Sequence, residues 1–170
     1  MRLSGKKILL GVTGSIAAYK SLQIVRDLTA EGCTVQVVLT PSAHHFVSPL
    51  TLQVFSGRPV FSNLFTPHDT VVHLDLADDA DLILIVPATA DFIAKMTVGL
   101  ADDLLSTLLL SARSPIVLAP AMDFGMWAHP SVQKNIEILK QRKIAIIAPE
   151  VGLLASGKEG IGRLPANRLF

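Results

Sequence analysis

Five apolar runs set the main constraint on the fold of this chain, and they span residues 8–12, 34–39, 81–86, 116–119 and 144–148. Helical patterns separate them, one beginning after Ser15 and the others at about 50–56, 91–98, 101–112 and 131–142. Strands that are apolar along their whole length are typical of a parallel sheet covered on both faces. The sequence therefore predicts the α/β class, with a doubly wound parallel sheet of about five to six strands in a single domain. Its ligand site should lie beyond the carboxyl ends of the strands.

The composition restricts the classes of partner. Fifteen Lys and Arg residues oppose fourteen Asp and Glu residues, and no basic cluster exceeds two residues, so neither nucleic acid nor an anionic membrane is an expected partner. Cys33 is the single cysteine, which excludes an internal disulfide and a cysteine-rich metal site. The apolar run at the N-terminus is too short for a signal peptide, and no run is long enough to span a membrane. We expect a cytoplasmic protein without a metal site.

The ends of the first two strands carry small and hydroxyl residues. Gly14, Ser15 and Ile16 follow the first strand, where glycine permits close backbone approach and N–H groups at a helix start attract anions. The pattern is not GxGxxG, so a mononucleotide phosphate fits better than a dinucleotide, and a tight turn without a ligand is the alternative. Ser42 follows the second strand, as a ribityl or phosphate contact or as part of a helix cap.

The segment after the third strand reads Pro87-Ala88-Thr89-Ala90-Asp91. Its small residues leave room for a flat ring, and the Thr89 hydroxyl can donate to such a ring. Asp91 is interpreted as the cap of the following helix.

The stretch APAMDFGMWAHP, residues 119–130, follows the fourth strand. Pro120 stops that strand, and Met122, Met126 and Trp127 supply adaptable apolar cover around one acid, Asp123. Two interpretations fit this composition: a loop over the ligand, or a surface loop whose large side chains pack down on the core.

Among the five histidines, His73 stands out because it precedes a buried strand close to the strand-end residues. A structural role and a catalytic role are both open for it from position alone. No two histidines have metal-ligand spacing, and no GxSxG nucleophile motif occurs.

Together these pieces resemble the flavin-dependent cysteine decarboxylases, which are Rossmann-like flavoproteins. The matching segments run in family order over nearly the whole chain: GVTGSIAAYK, VVHLDLADDADLILIVPATA, GLADDLLST, PAMDFGMWAHPSVQKN and ASGKEGIGRLP. The resemblance is strongest to members that act in coenzyme A biosynthesis. It implies non-covalent FMN and oxidative decarboxylation of 4'-phosphopantothenoylcysteine to 4'-phosphopantetheine. An alternative within the family is a peptidyl-cysteine decarboxylase.

The resemblance also implies roles for individual residues. His73 and Asp123 match catalytic positions, and the substrate-contacting positions are matched by Met122, Asp123, Met126, Ser156 and Arg163. The cofactor-contacting positions are matched by Gly14, Ser15, Ile16, Ser42, Thr89, Ala90, Ser106 and Thr107. The segment around 156–163 matches a flap that closes over the substrate.

Three residues depart from the family pattern. Asp123 replaces an asparagine that holds the substrate carboxylate, and two ionised carboxylates repel each other. Ser156 replaces a cysteine that assists the final reduction in some members, and Asp91 replaces an asparagine near the flavin. These departures leave four alternatives open. They are an enzyme with impaired turnover, an enzyme that acts on a different substrate, a reaction that stops at the enethiol, and a flavin-binding regulatory protein without turnover.

Assembly is a further implication of the resemblance. Family members form homotrimers or dodecamers, and in many bacteria this domain is fused to a phosphopantothenate–cysteine ligase. We therefore expect residues 1–170 to be a decarboxylase domain that stops before a ligase domain, or one that works with a separate ligase.

Overall fold

The computed structural model describes residues 3–65 and 71–165. Its strands are β1 (Lys7–Val12), β2 (Thr34–Leu39), β3 (Leu82–Ala88), β4 (Ile116–Pro120), β5 (Ala145–Ile146), β6 (Glu150–Leu153) and β7 (Glu159–Arg163). Its α-helices are α1 (Ser21–Ala30), α2 (Pro49–Ser56), α3 (Val72–Asp79), α4 (Ala90–Val98), α5 (Leu104–Ser111), α6 (Phe124–Trp127) and α7 (Pro130–Gln141). Two 3₁₀ turns, Ile16–Lys20 and Pro41–His45, lead away from the ends of β1 and β2.

The five-stranded sheet is parallel throughout, with the strand order β2-β1-β3-β4-β5. This confirms the predicted doubly wound α/β class. The chain builds β2 on one side of β1 and then crosses to build β3 on the other side. The order therefore reverses between β1 and β3, and a crevice is expected beyond the carboxyl ends of these two strands.

Alternate residues of β1 pack into two separate cores. Ile8, Leu10 and Val12 face the core that α1 and α2 cover, whereas Leu9 faces the core of α3, α4, α5 and α7. Burial on both faces explains why the strands are apolar along their whole length.

Three strand ends differ from the prediction. β4 does not stop before Pro120 but includes it, and Pro120 pairs with Ala88 of β3. β3 does not stop at Pro87 but continues to Ala88, because proline loses only its N–H donor while its carbonyl still accepts from the Thr13 hydroxyl at 2.7 Å. β5 has two residues instead of the five predicted. The strands β6 and β7 form an antiparallel hairpin outside the main sheet, which the sequence pattern does not predict.

None of the helices in the described part of the chain combines the length and the apolar character needed to cross a bilayer.

Candidate active site

Thr13 joins the two loops at the point where the strand order reverses. Its buried hydroxyl donates to the Pro87 carbonyl at 2.7 Å and accepts from the Thr89 N–H at 3.0 Å. The loop after β1 is thereby held against the loop after β3, and both line the same crevice. Sequence reasoning missed Thr13, although a hydroxyl residue directly after a buried apolar run was the available signal.

A cavity of about 690 Å³ opens at this crevice. Small residues of the two loops form one wall: Gly14, Ser15, Thr89 and Ala90. The loop after β4 contributes Met122, Asp123 and Met126, and the β6–β7 hairpin contributes Ser156 and Arg163. Ile16 also lines the cavity. Ten of the sequence-predicted site residues thus surround one space, although they come from four separate parts of the chain.

A smaller pocket of about 290 Å³ adjoins the cavity and shares Thr89 with it. Ser42 lines this pocket beside Thr40, and their hydroxyl oxygens are 3.1 Å apart. Gly14 approaches the same turn so closely that a Cβ atom on it would lie 2.5 Å from the Ser42 Oγ. The glycine therefore permits the approach of the β1 and β2 loops, as its place in the sequence suggested.

Lys95 occupies the far side of the smaller pocket among three carboxylates. Its Nζ lies 2.9 Å from Asp102, 3.7 Å from Asp91 and 3.9 Å from Asp103. The hydrogen bond with Asp102 is the main reason that the pKa of Lys95 is raised. Asp91 does not cap α4 as expected; Thr89 is the cap residue, and its hydroxyl accepts from the Phe92 N–H at 3.2 Å.

Two of the three departures from the family pattern, Asp123 and Ser156, contact each other. The Ser156 hydroxyl donates to Asp123 Oδ2 at 2.9 Å, and the Gly125 N–H donates to Asp123 Oδ1 at 3.0 Å. These two hydrogen bonds, with a smaller contribution from the Lys158 charge, hold the pKa of the Asp123 carboxyl below its ordinary value. Asp123 is therefore ionised at neutral pH and ties the hairpin to the loop after β4.

The hairpin is seated on that loop by backbone contacts as well. The Met122 N–H donates to the Gly162 carbonyl at 3.0 Å, and the Phe124 side chain lies against Gly160. Lys158 sits over the Phe124 ring, 5.8 Å from its centroid. We call residues 150–163 the flap, and the structure shows it docked over the cavity.

Protonation of Asp123 is expected to loosen the flap. Its folded-state pKa is depressed, so the stabilisation is fully present above the unfolded value of about 4 and is lost as pH falls through the lower folded value. We predict that hydrogen-exchange protection of the flap amides decreases below about pH 4. Ser156→Ala should lower this protection already at neutral pH, whereas Ser131→Ala on exposed α7 should not. Equal protection in the Ser156→Ala variant and the wild type would refute the role of the hydrogen bond.

Three predicted site residues and one predicted cover residue lie apart from the cavity. His73 is in the first turn of α3, and Ser106 and Thr107 are in the first turn of α5. Ser106 completes a capping box with Asp103, and the Thr107 hydroxyl donates to the Asp103 carbonyl at 2.7 Å, so both hydroxyls serve the helix start. Trp127, expected to cover the ligand, packs instead against the core beneath α7.

Comparisons with known proteins agree with this geometry. The family model described as Flavoprotein matches residues 1–168. The coenzyme A biosynthesis bifunctional protein CoaBC of Haemophilus influenzae is 47% identical over 166 residues, which are 96% of this chain and 42% of that protein. The chain thus spans less than half the length of the curated relatives it matches.

Two solved structures share the fold. A PPC decarboxylase with a cysteine-to-serine mutation, complexed with pantothenoylaminoethenethiol, superimposes with a TM-score of 0.86 at 29% identity, covering 97% of this chain and 93% of that chain. The FMN-dependent cysteine decarboxylase SpaF gives a TM-score of 0.84 at 29% identity, covering 94% of this chain and 91% of that chain. With a crevice at the β1/β3 reversal and a family model that matches almost every residue, the chain belongs to the Flavoprotein family.

Proposed function

We propose that this chain catalyses the FMN-dependent oxidative decarboxylation of 4'-phosphopantothenoylcysteine to 4'-phosphopantetheine, a step of coenzyme A biosynthesis in the cytoplasm. The observation that carries the proposal is the 47% identity to CoaBC across 96% of this chain. The flap supports it, because its residues Ser156 and Arg163 line one side of the cavity and would shield a bound small substrate from water. A ligase domain, fused or separate, would supply the substrate.

The residues around the cavity suit FMN. Small side chains at Gly14, Thr89 and Ala90 leave space for a flat ring, and the Thr40 and Ser42 hydroxyls can donate to the ribityl or phosphate group. The Ser15 hydroxyl accepts from the Ala17 N–H at 3.2 Å, so its own proton remains available for the phosphate. FMN held by these residues would supply reversible hydride transfer, the redox chemistry that the decarboxylation requires.

The substrate lies, in this proposal, between the flavin and the flap. Met122 and Met126 supply apolar surface next to Asp123. Asp123 accepts from two donors, so its charge is partly compensated before the substrate carboxylate arrives. Ser156 lines the same cavity beside Asp123, and in this proposal its hydroxyl holds that carboxylate in place for the substrate.

His73 reaches a cavity in this proposal through subunit association. The helix α3 that carries it packs on α5, and the end of α4 with its following loop adjoins α5 at Leu110. This part of the surface exposes apolar side chains at Val71, Leu74, Val98, Leu100 and Leu110. Such a surface is suited to burial against another copy of the chain. A homotrimer, or a dodecamer built from trimers, would place His73, Ser106 and Thr107 of one subunit beside the cavity of its neighbour.

The peptidyl-cysteine alternative has weaker support than this proposal, because the 47% identity to CoaBC exceeds the 29% identity to the cysteine decarboxylase SpaF. A regulatory protein would bind flavin but decarboxylate neither substrate, so a measurement of turnover distinguishes it from both enzyme functions.

A Gly14→Ala variant is expected to lose FMN. The added Cβ would lie 2.5 Å from Ser42 Oγ and 2.9 Å from the Ser42 backbone carbon, so the two loops must separate. We predict that FMN affinity, measured by quenching of flavin fluorescence, falls at least about tenfold because the phosphate contacts are lost with the loop geometry. Gly125→Ala is the matched control, since its Cβ would meet only Asp123 Oδ1 at an ordinary 3.6 Å. Unchanged affinity in Gly14→Ala would place the flavin elsewhere.

The experiment that tests the proposal measures carbon dioxide released by the FMN-loaded protein from 4'-phosphopantothenoylcysteine and from a peptide ending in cysteine. Release from the first substrate alone is expected. Release from the peptide alone would favour the alternative, and release from neither would favour a regulatory protein.

A further inference from the structure

Two cationic side chains, Lys20 and Arg163, line the same cavity that holds Asp123 and Ser156. Lys20 ends the 3₁₀ turn after β1, and its Nζ donates to the Leu164 carbonyl at 2.8 Å. That carbonyl belongs to the residue directly after Arg163 on β7. The docked flap thus brings an arginine next to a lysine that approaches from the opposite wall.

The charges around Lys20 include a second cation. Burial, and then the nearby charge of Arg163, lower the pKa of Lys20, while the carboxylate of Glu150 acts in the opposite direction. Lys20 and Arg163 are therefore close enough to repel each other, and the Asp123 carboxylate that lines the same cavity already accepts from Ser156 and Gly125. Holding like charges together is unfavourable, and a bound anion would relieve the repulsion.

An anion for this place could come from two sources with the same chemistry, a phosphate monoester of FMN or a phosphate monoester of the substrate. Lys20 lies five residues beyond Ser15, and a 3₁₀ turn rises about 2 Å per residue, so the two residues are about 10 Å apart along the chain. The Lys20 side chain extends toward β7, where its Nζ donates to the Leu164 carbonyl at 2.8 Å, so its charge lies beside β7 and Arg163. If the flavin phosphate lies at Gly14 and Ser15, the Lys20 position remains for the substrate.

We propose that Lys20 and Arg163 form a subsite for the terminal phosphate of the substrate, opposite the end of the cavity where Asp123 and Ser156 meet the cysteine. This inference rests on the proposed function. The ammonium group of Lys20 acts as a point charge, and the planar guanidinium group of Arg163 offers paired donors to phosphate oxygens. Because Arg163 belongs to the flap, a phosphorylated substrate would hold the flap closed from both of its ends.

The test compares ligands with and without the phosphate. For FMN-loaded protein, dissociation constants for 4'-phosphopantothenate and pantothenate are measured by calorimetry, which needs no turnover. The wild type should bind the phosphorylated ligand more tightly, and Lys20→Gln and Arg163→Gln should each reduce that preference about tenfold through loss of a charged hydrogen bond. Lys20→Arg should keep most of the preference. Lys134→Gln, on the exposed surface of α7, should leave it unchanged.

Two results would overturn the proposal. A preference that is the same in Lys20→Gln, Arg163→Gln and wild type would show that the phosphate binds elsewhere. A loss of FMN affinity in Lys20→Gln, with no change in the ligand preference, would assign the lysine to the flavin phosphate. Carbon dioxide release is measured on the same proteins, so that the phosphate subsite and the proposed reaction are tested separately. If the wild type releases carbon dioxide but the variants keep the wild-type preference for the phosphorylated ligand, only the subsite is contradicted. If the variants lose that preference but the wild type releases no carbon dioxide, only the proposed reaction is contradicted.

Discussion

Replacing His73 with asparagine is expected to lower decarboxylation of 4'-phosphopantothenoylcysteine about 10²–10⁴-fold, the usual contribution of a positioned acid–base group. Bound FMN should be retained, because the contacts proposed for the flavin come from Gly14, Ser15 and Thr89 and do not need the His73 side chain. An imidazole can act as a general acid or base, and asparagine keeps the hydrogen-bonding capacity without that function. The measurement is kcat with the flavin content determined for each variant, and exposed His44 provides the matched asparagine control.

Mixed assemblies decide from which subunit His73 acts. A Gly14→Ala subunit lacks a competent flavin site but retains His73, whereas a His73→Asn subunit has the opposite defect. The two variants are refolded together to give mixed assemblies. In these, the intact flavin site of a His73→Asn subunit can lie next to the intact His73 of a Gly14→Ala subunit, and activity should be recovered. No recovery would contradict the assignment of His73 to the neighbouring cavity, and loss of flavin from His73→Asn itself would make this histidine structural.

Gly162→Ala is expected to release the flap. Gly162 has φ +150°, and a Cβ on it would lie 2.1 Å from the Met122 carbonyl oxygen, which is backbone and cannot rotate away. The hydrogen bond from the Met122 N–H to the Gly162 carbonyl must then lengthen or break. Overpacking of this kind costs about 1–3 kcal/mol, so kcat/KM should fall about 10- to 100-fold if the docked flap is the active form.

Gly157→Ala is the matched control for this experiment. Gly157 also has a positive φ, +77°, but no atom lies within 4 Å of its added Cβ. It therefore reports backbone strain without the clash. Tryptic cleavage after Lys158 should accelerate in Gly162→Ala and much less in Gly157→Ala. Equal cleavage rates and equal kcat/KM values in the two variants would show that the backbone contact between Gly162 and Met122 does not control the position of the flap.

The central sheet was predictable because each strand carries its own signal. Burial on both faces makes residues such as Ile8, Leu9 and Leu10 apolar without interruption, and the alternation with helices then requires parallel pairing. The same local logic identified the loops after β1 and β3. It failed at Pro87, where a carbonyl contact outweighs the missing donor, and at Asp91, where the hydroxyl of Thr89 caps the helix first.

The arrangement of the flap was not predictable from local patterns. Ser156 and Asp123 are 33 residues apart, and their hydrogen bond depends on how the β6–β7 hairpin packs against the loop after β4. Lys20 and the Leu164 carbonyl are separated by 144 residues. Contacts between residues so far apart in the chain leave no repeating pattern in the sequence from which they could be predicted. The resemblance suggested that a flap exists, but neither the contact between the two unusual residues nor the second cation followed from it.

The mass of the product formed from 4'-phosphopantothenoylcysteine by the FMN-loaded protein tests the central claim most directly. We expect a product lighter than the substrate by one molecule of carbon dioxide, which is the mass of 4'-phosphopantetheine, and we expect each flavin to form it repeatedly. Recovery of the substrate at its original mass, from protein that holds FMN, would contradict it.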